Sequence, residues 1–461
     1  MATSRPNILY VMSDDHTINA INCYGGWLKD AVDTPNLDRI ANEGMRFTNC
    51  FCNNSLCSPS RASIITGQFS HKNGVLRLNG SLAADHPSFA RQLQADGYQT
   101  AVVGKWHLKT DPVGFHHYEI LPGQGDYFNP HFNRNGETTF YQGYATDIIT
   151  DLSLDWLEKR DKSRPFMMLT QHKAPHGLWE FAPRHAEMFA DEDLPEPENL
   201  YEKFKQASGA FQNHERDILA QAARMDAGVN GRTWPTGRLD TTGMTERETI
   251  HAGYQKYVKD YLRCIAAIDE SVGRLLKFLD DEGLADNTIV VYTSDQGMFL
   301  GEHSFFDKRL ILEEALHMPL LIRYPGAIEP GSVNENLVMN IDFAETLVDF
   351  AGLEQDSRMQ GQSIRPLCEG KNVEWRKSIF YAYWDGLTRH HGVRDDRYKL
   401  AVHRTGEKDL FDLEKDPLEM TSQVDNAEYA DVLANLESEL ERLVVEVDIS
   451  PEELPGRLQD D

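Results

Sequence analysis

Short apolar runs punctuate the chain at 7–13 (NILYVMS), 100–105 (TAVVGK), 166–172 (FMMLTQH), 288–295 (TIVVYTSD) and 319–325 (PLLIRYP). Each has strand length and no clear polar–apolar alternation, which predicts strands buried on both faces of a sheet. Helix-like stretches lie between them at 34–44, 88–97 and 261–283, and the last stops at Gly283, a residue suited to a C-cap. Strand and helix in alternation predict an α/β domain with a mixed, mainly parallel sheet flanked by helices. A polar stretch containing Pro and Gly, from about 190 to 250, interrupts that rhythm and reads as an insertion. Further on, SIFYAYW (378–384), HHGVRDDRYKLAVH (390–403) and DLFDLEKDP (409–417) predict antiparallel strands with turns, and a helix is expected over 426–446. The expected organisation is a main domain over 1–360 and a smaller C-terminal α+β subdomain, antiparallel sheet plus helix, over 361–461.

The polar residues collect at the ends of the predicted strands. Ser13-Asp14-Asp15-His16 follows the first, Lys105-Trp106-His107 closes the second, His172 and His176 follow the third, and Ser294-Asp295-Gln296-Gly297 follows the fourth. Ligands of open α/β sheets bind outside the carboxyl ends of the strands, so four such ends describe one shared site. Asp14, Asp15 and Asp295 with the Gln296 amide offer only hard oxygen ligands, suited to Ca²⁺ or Mg²⁺ and not to Zn²⁺ or Cu²⁺. Carboxylates brought this close repel unless a cation neutralises them. Lys105 and His107 are two apart, so in extended backbone they point the same way while Trp106 packs on the other face. Taken singly, GKWHL reads as a strand end with a satisfied histidine, His176 as structural, and Lys308 in FFDKR as a surface lysine. Convergence gives them their value. Cys57 lies four residues before Arg61 in SLCSPSRASIITG, at the head of a run that predicts a helix. Its residue type alone leaves it open as metal ligand, thiol nucleophile, buried structural residue or precursor of another group.

Charge and composition narrow the function. Lys and Arg total 46 against 73 Asp and Glu, a formal net charge of −27, which argues against binding nucleic acid or an anionic membrane. A bound anion must then be met by a local cluster of cations. No apolar run reaches the length of a membrane span. Residues 1–6 lead straight into NILYVM without a signal pattern, so the expectation is a cytoplasmic protein, or a periplasmic or extracellular one whose signal was removed. The six cysteines include no CxxC pair, so neither a disulfide framework nor structural zinc is expected.

With these residues in view, the chain resembles the sulfatase family of the alkaline phosphatase superfamily, from about residue 5 to 425. CSPSRASIITG matches the family signature Cys-x-Pro-Ser-Arg with its Thr-Gly ending, and GKWHL matches the second signature, which often continues with Gly where this chain has Lys109. NILYVMSDD and YTSDQGMFLGEH match the two metal segments, and LFDLEKDPLEM resembles a C-terminal strand and turn of the family. The resemblance implies an alkaline-phosphatase-like fold. It also implies that a formylglycine-generating enzyme oxidises Cys57 to 3-oxoalanine (formylglycine), which hydrates to a geminal diol. Asp14, Asp15, Asp295 and Gln296 would hold Ca²⁺, which also touches residue 57. Gln296 departs from the commoner Asn or His, keeping an oxygen ligand on a side chain one methylene longer than Asn. Arg61, Lys105 and His107 would orient the diol, and His176 and Lys308 would meet the sulfate and its bridging oxygen.

Elementary chemistry supports those implied roles. A sulfuryl group in transfer carries charge on its oxygens, which cations stabilise. A diol offers one hydroxyl to attack sulfur and a second to expel sulfate afterwards, an exit that serine and thiol lack. SDQGMFLGEHSFFDKR and KAPHGLW look most like bacterial carbohydrate sulfatases, including those acting on glucosamine-6-sulfate. Trp384, Asp385, Arg389 and His390 are the expected sugar contacts at the pocket mouth, against the plainer reading of an exposed hairpin. The strongly acidic surface favours short sulfated saccharides over long polysulfated chains. The competing readings are a phosphodiesterase or phosphonate monoester hydrolase of the same superfamily, an inactive glycan-binding protein on the same fold, and a thiol hydrolase using Cys57 directly. The last gains nothing from a neighbouring hard-metal site.

Overall fold

The computed structural model describes residues 5–455; of the leader reading at 1–6, residues 1–4 lie outside the described residues. A ten-stranded sheet forms the centre, and five adjacent strands at its middle run parallel: Thr288–Ser294, Asn7–Ser13, Phe166–Gln171, Gln99–Lys105 and His117–Leu121. The antiparallel strand Leu320–Arg323 extends one side, and the hairpin His131–Arg134 and Glu137–Phe140 closes the other. The absence of alternation in the sequence has a direct cause. All seven residues of Asn7–Ser13 and of Thr288–Ser294 are buried, because helices cover both faces. Ile8, Tyr10 and Met12 enter one core with Ile64, Phe89 and Leu347, while Leu9 and Val11 enter the other with Ile148, Tyr257 and Leu276.

Register brings the chemistry to one edge. Ser13 pairs with Ser294, Met12 with Gln171, and Gln171 with Gly104, so three strands finish level and release Asp14, Asp295 and His172 together, with Lys105 beside them. Gly104 is a fixed point of this edge. It has φ +108°, and a Cβ there would lie 1.9 Å from the Gln171 carbonyl oxygen. Gly104→Ala must therefore open the ladder as well as adopt a strained backbone. A loss of at least about 2–3 kcal/mol is expected in thermal or urea unfolding.

The helix expected over 261–283 is longer, Glu246–Asp281. Its first turns look polar, yet Ile250, Tyr254, Tyr257, Val258 and Tyr261 recur on one buried face. Thr245 and Glu248 form a reciprocal capping box, and Gly283 adopts φ +66° just past the end. The insertion is partly helical, with Ile218–Ala227 packed on the long helix where Gly253 leaves room for Ala222. Beyond it, Ser378–Tyr383, His390–Asp395, Tyr398–His403 and Lys408–Asp412 form a four-stranded antiparallel meander, followed by the helix Ala430–Glu446. This small sheet braces the start of the Cys57 helix: Ala382 N–H donates to the Asn53 carbonyl at 3.0 Å, and the Ser55 and Tyr381 hydroxyls lie 2.5 Å apart. Among the described residues no helix is long and apolar enough to cross a membrane.

Candidate active site

Cys57 opens the helix Cys57–Thr66, whose preceding residue Leu56 is extended and whose end is closed by Gly67 at φ +65°. The thiol is fully buried, and burial, with the Asp14 charge adding to it, pushes its pKa up, so it holds its proton. Sγ lies 3.7 Å from Gln296 Nε2. The helix is anchored at its first turns, since Ser58 Oγ donates to the His107 carbonyl at 2.8 Å and Ser60 Oγ to the Asp295 carbonyl. One short segment thus touches two of the other strand ends.

The carboxylates converge as their positions require. Ligand oxygens of Asp14, Asp15 and Asp295 all lie within 4.8 Å of one another, and a second group within the same span joins Asp14, Cys57 and His176. Cations crowd around them. Lys105 Nζ donates to Asp14 Oδ2 and to Gln124 Oε1, Lys308 Nζ donates to both Asp15 oxygens at 2.6 and 2.5 Å, and Arg61 Nε donates to Asp295 Oδ2 at 2.9 Å. The Asp15 backbone N–H also donates to Asp295 Oδ1 at 3.1 Å. Burial alone would raise all three carboxyls. Lys105, first among several cations, instead holds Asp14 well below its usual range, whereas burial and the Asp14 charge raise Asp15 and bring Asp295 up to about 7. The three cations therefore do not offset the cost of burying all three carboxyls in charged form.

Two buried oxygens in this cluster, Asp14 Oδ1 and Gln296 Oε1, accept no hydrogen bond. Orphaned acceptors beside three carboxylates fit a hard divalent cation, as does a donor set made only of oxygens. Gln296 Nε2 meanwhile donates to Asp15 Oδ1, so the longer side chain does reach the cluster.

His176 Nδ1 lies 2.7 Å from the Gly177 carbonyl and its Nε2 faces Asp15 Oδ2 at 3.9 Å. Burial, with Lys105 second, drives its pKa well down, while Lys308 stays well above its usual value through Asp15 despite burial. His107 is likewise lowered to about 3 by burial and Lys105, and its Nδ1 has no hydrogen-bond partner. The chain turns at His107, with φ +58°, while Trp106 is buried and packs edge-on to Phe115. Left-handed backbone recurs at Asp15 (φ +68°), Asp307 (φ +78°) and Arg309 (φ +95°), so conformational strain is concentrated around the same centre.

Above this floor opens a cavity of about 290 Å³ bordered by Cys57, Asp15, His176 and Lys308. The expected sugar contacts do not line this cavity. Trp384 is 1% exposed with its indole N–H on the Glu453 carbonyl, and Arg389 and His390 are buried as well. Among the described residues, those lining the cavity include none of the three. Asp385 reaches the wall indirectly, 3.7 Å from Arg309. Within 384–391, Trp384, Arg389 and His390 turn into the packing, whereas Asp385 is half-buried and Leu387 is exposed. The wall is supplied instead by Gln124, Trp179, Arg216, Arg224, Asp307 and Arg309, which that reading missed. Asp307 and Arg309 carried a signal as neighbours of Lys308, and Trp179 as the last residue of KAPHGLW.

A parallel α/β sheet thus carries a carboxylate cluster and a helix-borne cysteine at its carboxyl edge, a site whose oxygen donors fit a hard cation. Comparison with known proteins makes this specific. The family model described as Sulfatase matches residues 6–353, and one described as N-sulphoglucosamine sulphohydrolase, C-terminal, matches 301–446. The chain belongs to the sulfatase family, and the protein is a sulfuric ester hydrolase. An N-acetylglucosamine-6-O-sulfatase of Bacteroides thetaiotaomicron is 42% identical, covering 93% of this chain and 84% of that protein. A structure solved in complex with its substrate D-glucosamine-2-N,6-O-disulfate superposes with a TM-score of 0.93 at 40% identity, covering 98% of this chain and all of that one. A phosphonate monoester hydrolase of Agrobacterium radiobacter shares the fold at TM-score 0.77 and 22% identity, covering 96% of both chains.

Proposed function

We propose that this sulfatase releases the 6-O-sulfate of a glucosamine-type sugar in a short saccharide, using Cys57 matured to formylglycine and Ca²⁺ held by Asp14, Asp15, Asp295 and Gln296. The observation that carries the reading is the small cavity that ends on residue 57 and the carboxylate cluster. The kinship with the N-acetylglucosamine-6-O-sulfatase supports the choice of sugar. Its volume, about 290 Å³, is near the lower limit of small-ligand pockets and suits one sugar unit.

The cation, when bound, supplies Lewis-acid stabilisation of the sulfate oxygens and of residue 57. The chain's own residues supply the rest. Arg61 and Lys105 surround residue 57 with fixed positive charge in a dry site, where such charge acts strongly. Amides at the start of the Cys57 helix favour the same anion. Lys308, charged, meets the sulfate and the bridging oxygen. His176 is neutral at rest because cations and burial depress it; an entering sulfate offsets those cations and raises its proton affinity, readying Nε2 for transfer to the departing alcohol. Burial of the thiol disfavours its thiolate, and a hard cation adds nothing to thiol attack, which tells against the direct thiol reading.

The test is sulfate release from regiodefined glucosamine sulfates by protein whose residue 57 is verified as aldehyde. Release from the 6-sulfate, and not from the 3-sulfate, is expected. Faster turnover of phosphonate monoesters or phosphodiesters than of any sugar sulfate would select the rival superfamily activity. On the same reading, short oligosaccharides are turned over faster than intact polymer, because the −27 surface repels a polyanion. Equal or faster release from polymer contradicts this.

A further inference from the structure

The cavity wall holds more positive charge than cleavage of one sulfate ester requires. Four cationic side chains, Lys308, Arg216, Arg224 and Arg309, border it with only two carboxylates, Asp15 and Asp307, in a protein that is strongly acidic overall. Lys308 is committed to Asp15 at the reacting end. Further up, Asp307 is shared: Arg216 lies 2.8 Å and Arg309 3.0 Å from the same oxygen, Oδ2. Arg309 has a second acidic neighbour in Asp385 and donates to the Tyr383 hydroxyl at 3.0 Å. Arg224 has no such counter-ion. Among the described residues its contacts are Gln221 Oε1 at 3.1 Å and the face of the Trp234 ring, 6.0 Å from the centroid, and no carboxylate pairs with it. Arg224 is an exposed residue at this wall; its partial burial and the Arg216 charge lower its proton affinity, and the Asp307 charge raises it.

The backbone that carries these arginines is held in place. The Phe306 N–H donates to the Arg216 carbonyl at 3.1 Å, which stitches the insertion to the strand leading to Lys308. Asp217 caps the helix Ile218–Ala227 through the Ala220 N–H at 2.8 Å, and the close approach of Ala222 to Gly253 seats that helix on the long one. Trp179, Leu178, Met298 and Phe306 add apolar surface to the same cavity, suited to the face of a pyranose ring.

We propose that Arg216 and Arg224 form a second anion subsite, selecting saccharides that carry another anionic group besides the sulfate that is cleaved. The group is an N-sulfate on the same ring or the carboxylate of a neighbouring uronate; both offer planar or tripodal oxygens to guanidinium donors. This assignment rests on the reading of the cavity as the sugar site and adds to it the residues that set specificity. The insertion that broke the sequence rhythm then has a role: it builds the specificity wall.

The experiment measures equilibrium binding to Ca²⁺-loaded Cys57→Ala protein, in which turnover is blocked. The probes are glucosamine 6-sulfate, glucosamine 2-N,6-O-disulfate and a disaccharide joining glucosamine 6-sulfate to a uronate. At least one doubly anionic probe is expected to bind tenfold or more tighter than the monosulfate, and which one identifies the source of the anion. That ratio is expected to fall to within about threefold in Arg224→Gln or Arg216→Gln and to survive in Arg224→Lys. Equal affinity for all three probes, or a ratio that neither Gln variant moves, overturns the subsite. Failure of the aldehyde-bearing enzyme to release sulfate from any of them overturns the proposed activity instead, and the binding ratios still decide the subsite.

Discussion

Cys57→Ser is expected to release at most one equivalent of desulfated alcohol per enzyme and to keep the sulfate as an ester on residue 57, with steady-state turnover down by at least about 10³-fold. The site itself should survive the change, since a serine hydroxyl fits where a buried thiol now sits and the helix keeps its anchors through Ser58 and Ser60. Serine carries one oxygen on Cβ. Once that oxygen is bonded to sulfur, no second hydroxyl remains on the same carbon to re-form a carbonyl and expel sulfate. Attack on the ester by water would have to replace it, in a pocket where Asp14 and Asp15 repel an approaching hydroxide. A quench-flow trace of the desulfated sugar with a burst no larger than the enzyme concentration, followed by a flat line, and no free sulfate, is the expected record. Sustained turnover by Cys57→Ser contradicts the formylglycine reading. The complementary measurement is the mass of the wild-type peptide carrying residue 57, which should show CHO in place of CH₂SH.

Removing the divalent cation should weaken the fold as well as the activity. Three buried carboxylates face three buried cations, yet Asp14 Oδ1 and Gln296 Oε1 accept no hydrogen bond and Asp15 and Asp295 are raised. A ligand that binds only the folded state stabilises it by about 2.7 kcal/mol at a hundred times its dissociation constant. Calcium is therefore expected to raise Tm and a chelator to lower it, and Asp295→Asn or Asp14→Asn should erase most of the difference along with turnover. The pH dependence has a definite sign. In the metal-free fold Asp295 holds its proton up to about 7, above its unfolded value, so its burial costs more as pH rises toward 7. Calcium competes with that proton and binds the ionised carboxylate. The calcium-induced rise in Tm should accordingly widen from pH 5 to 8. A constant difference, or no effect of calcium on Tm in the wild-type protein, would count against metal binding here.

Much of the frame was legible from the chain. The doubly buried strands announced themselves because a strand with helices on both faces has no polar face to alternate with, as in Asn7–Ser13. Their order of appearance placed Asp14, Lys105, His176 and Asp295 at strand ends, and the level register of the parallel ladders made those ends one place. The N-terminal half of the long helix escaped notice because its apolar positions are tyrosines set among charges. In the C-terminal sheet the strands were legible and the direction of their side chains was not. Trp384 and His390 look exposed in a polar hairpin, but burial there depends on what lies across the sheet.

The sequence by itself determined the α/β class, and it singled out Cys57 with Arg61 and the carboxylates Asp14, Asp15 and Asp295 that the structure brings together, because each is encoded by local spacing or by residue chemistry. Only the tertiary structure decided which residues line the cavity. Arg216 and Arg224 come from an insertion with no local signature, and they reach the site because that segment is bonded to the strand before Lys308. Contacts between segments this distant in sequence are fixed by packing and by the closing of long loops, which leave no periodic mark on the chain.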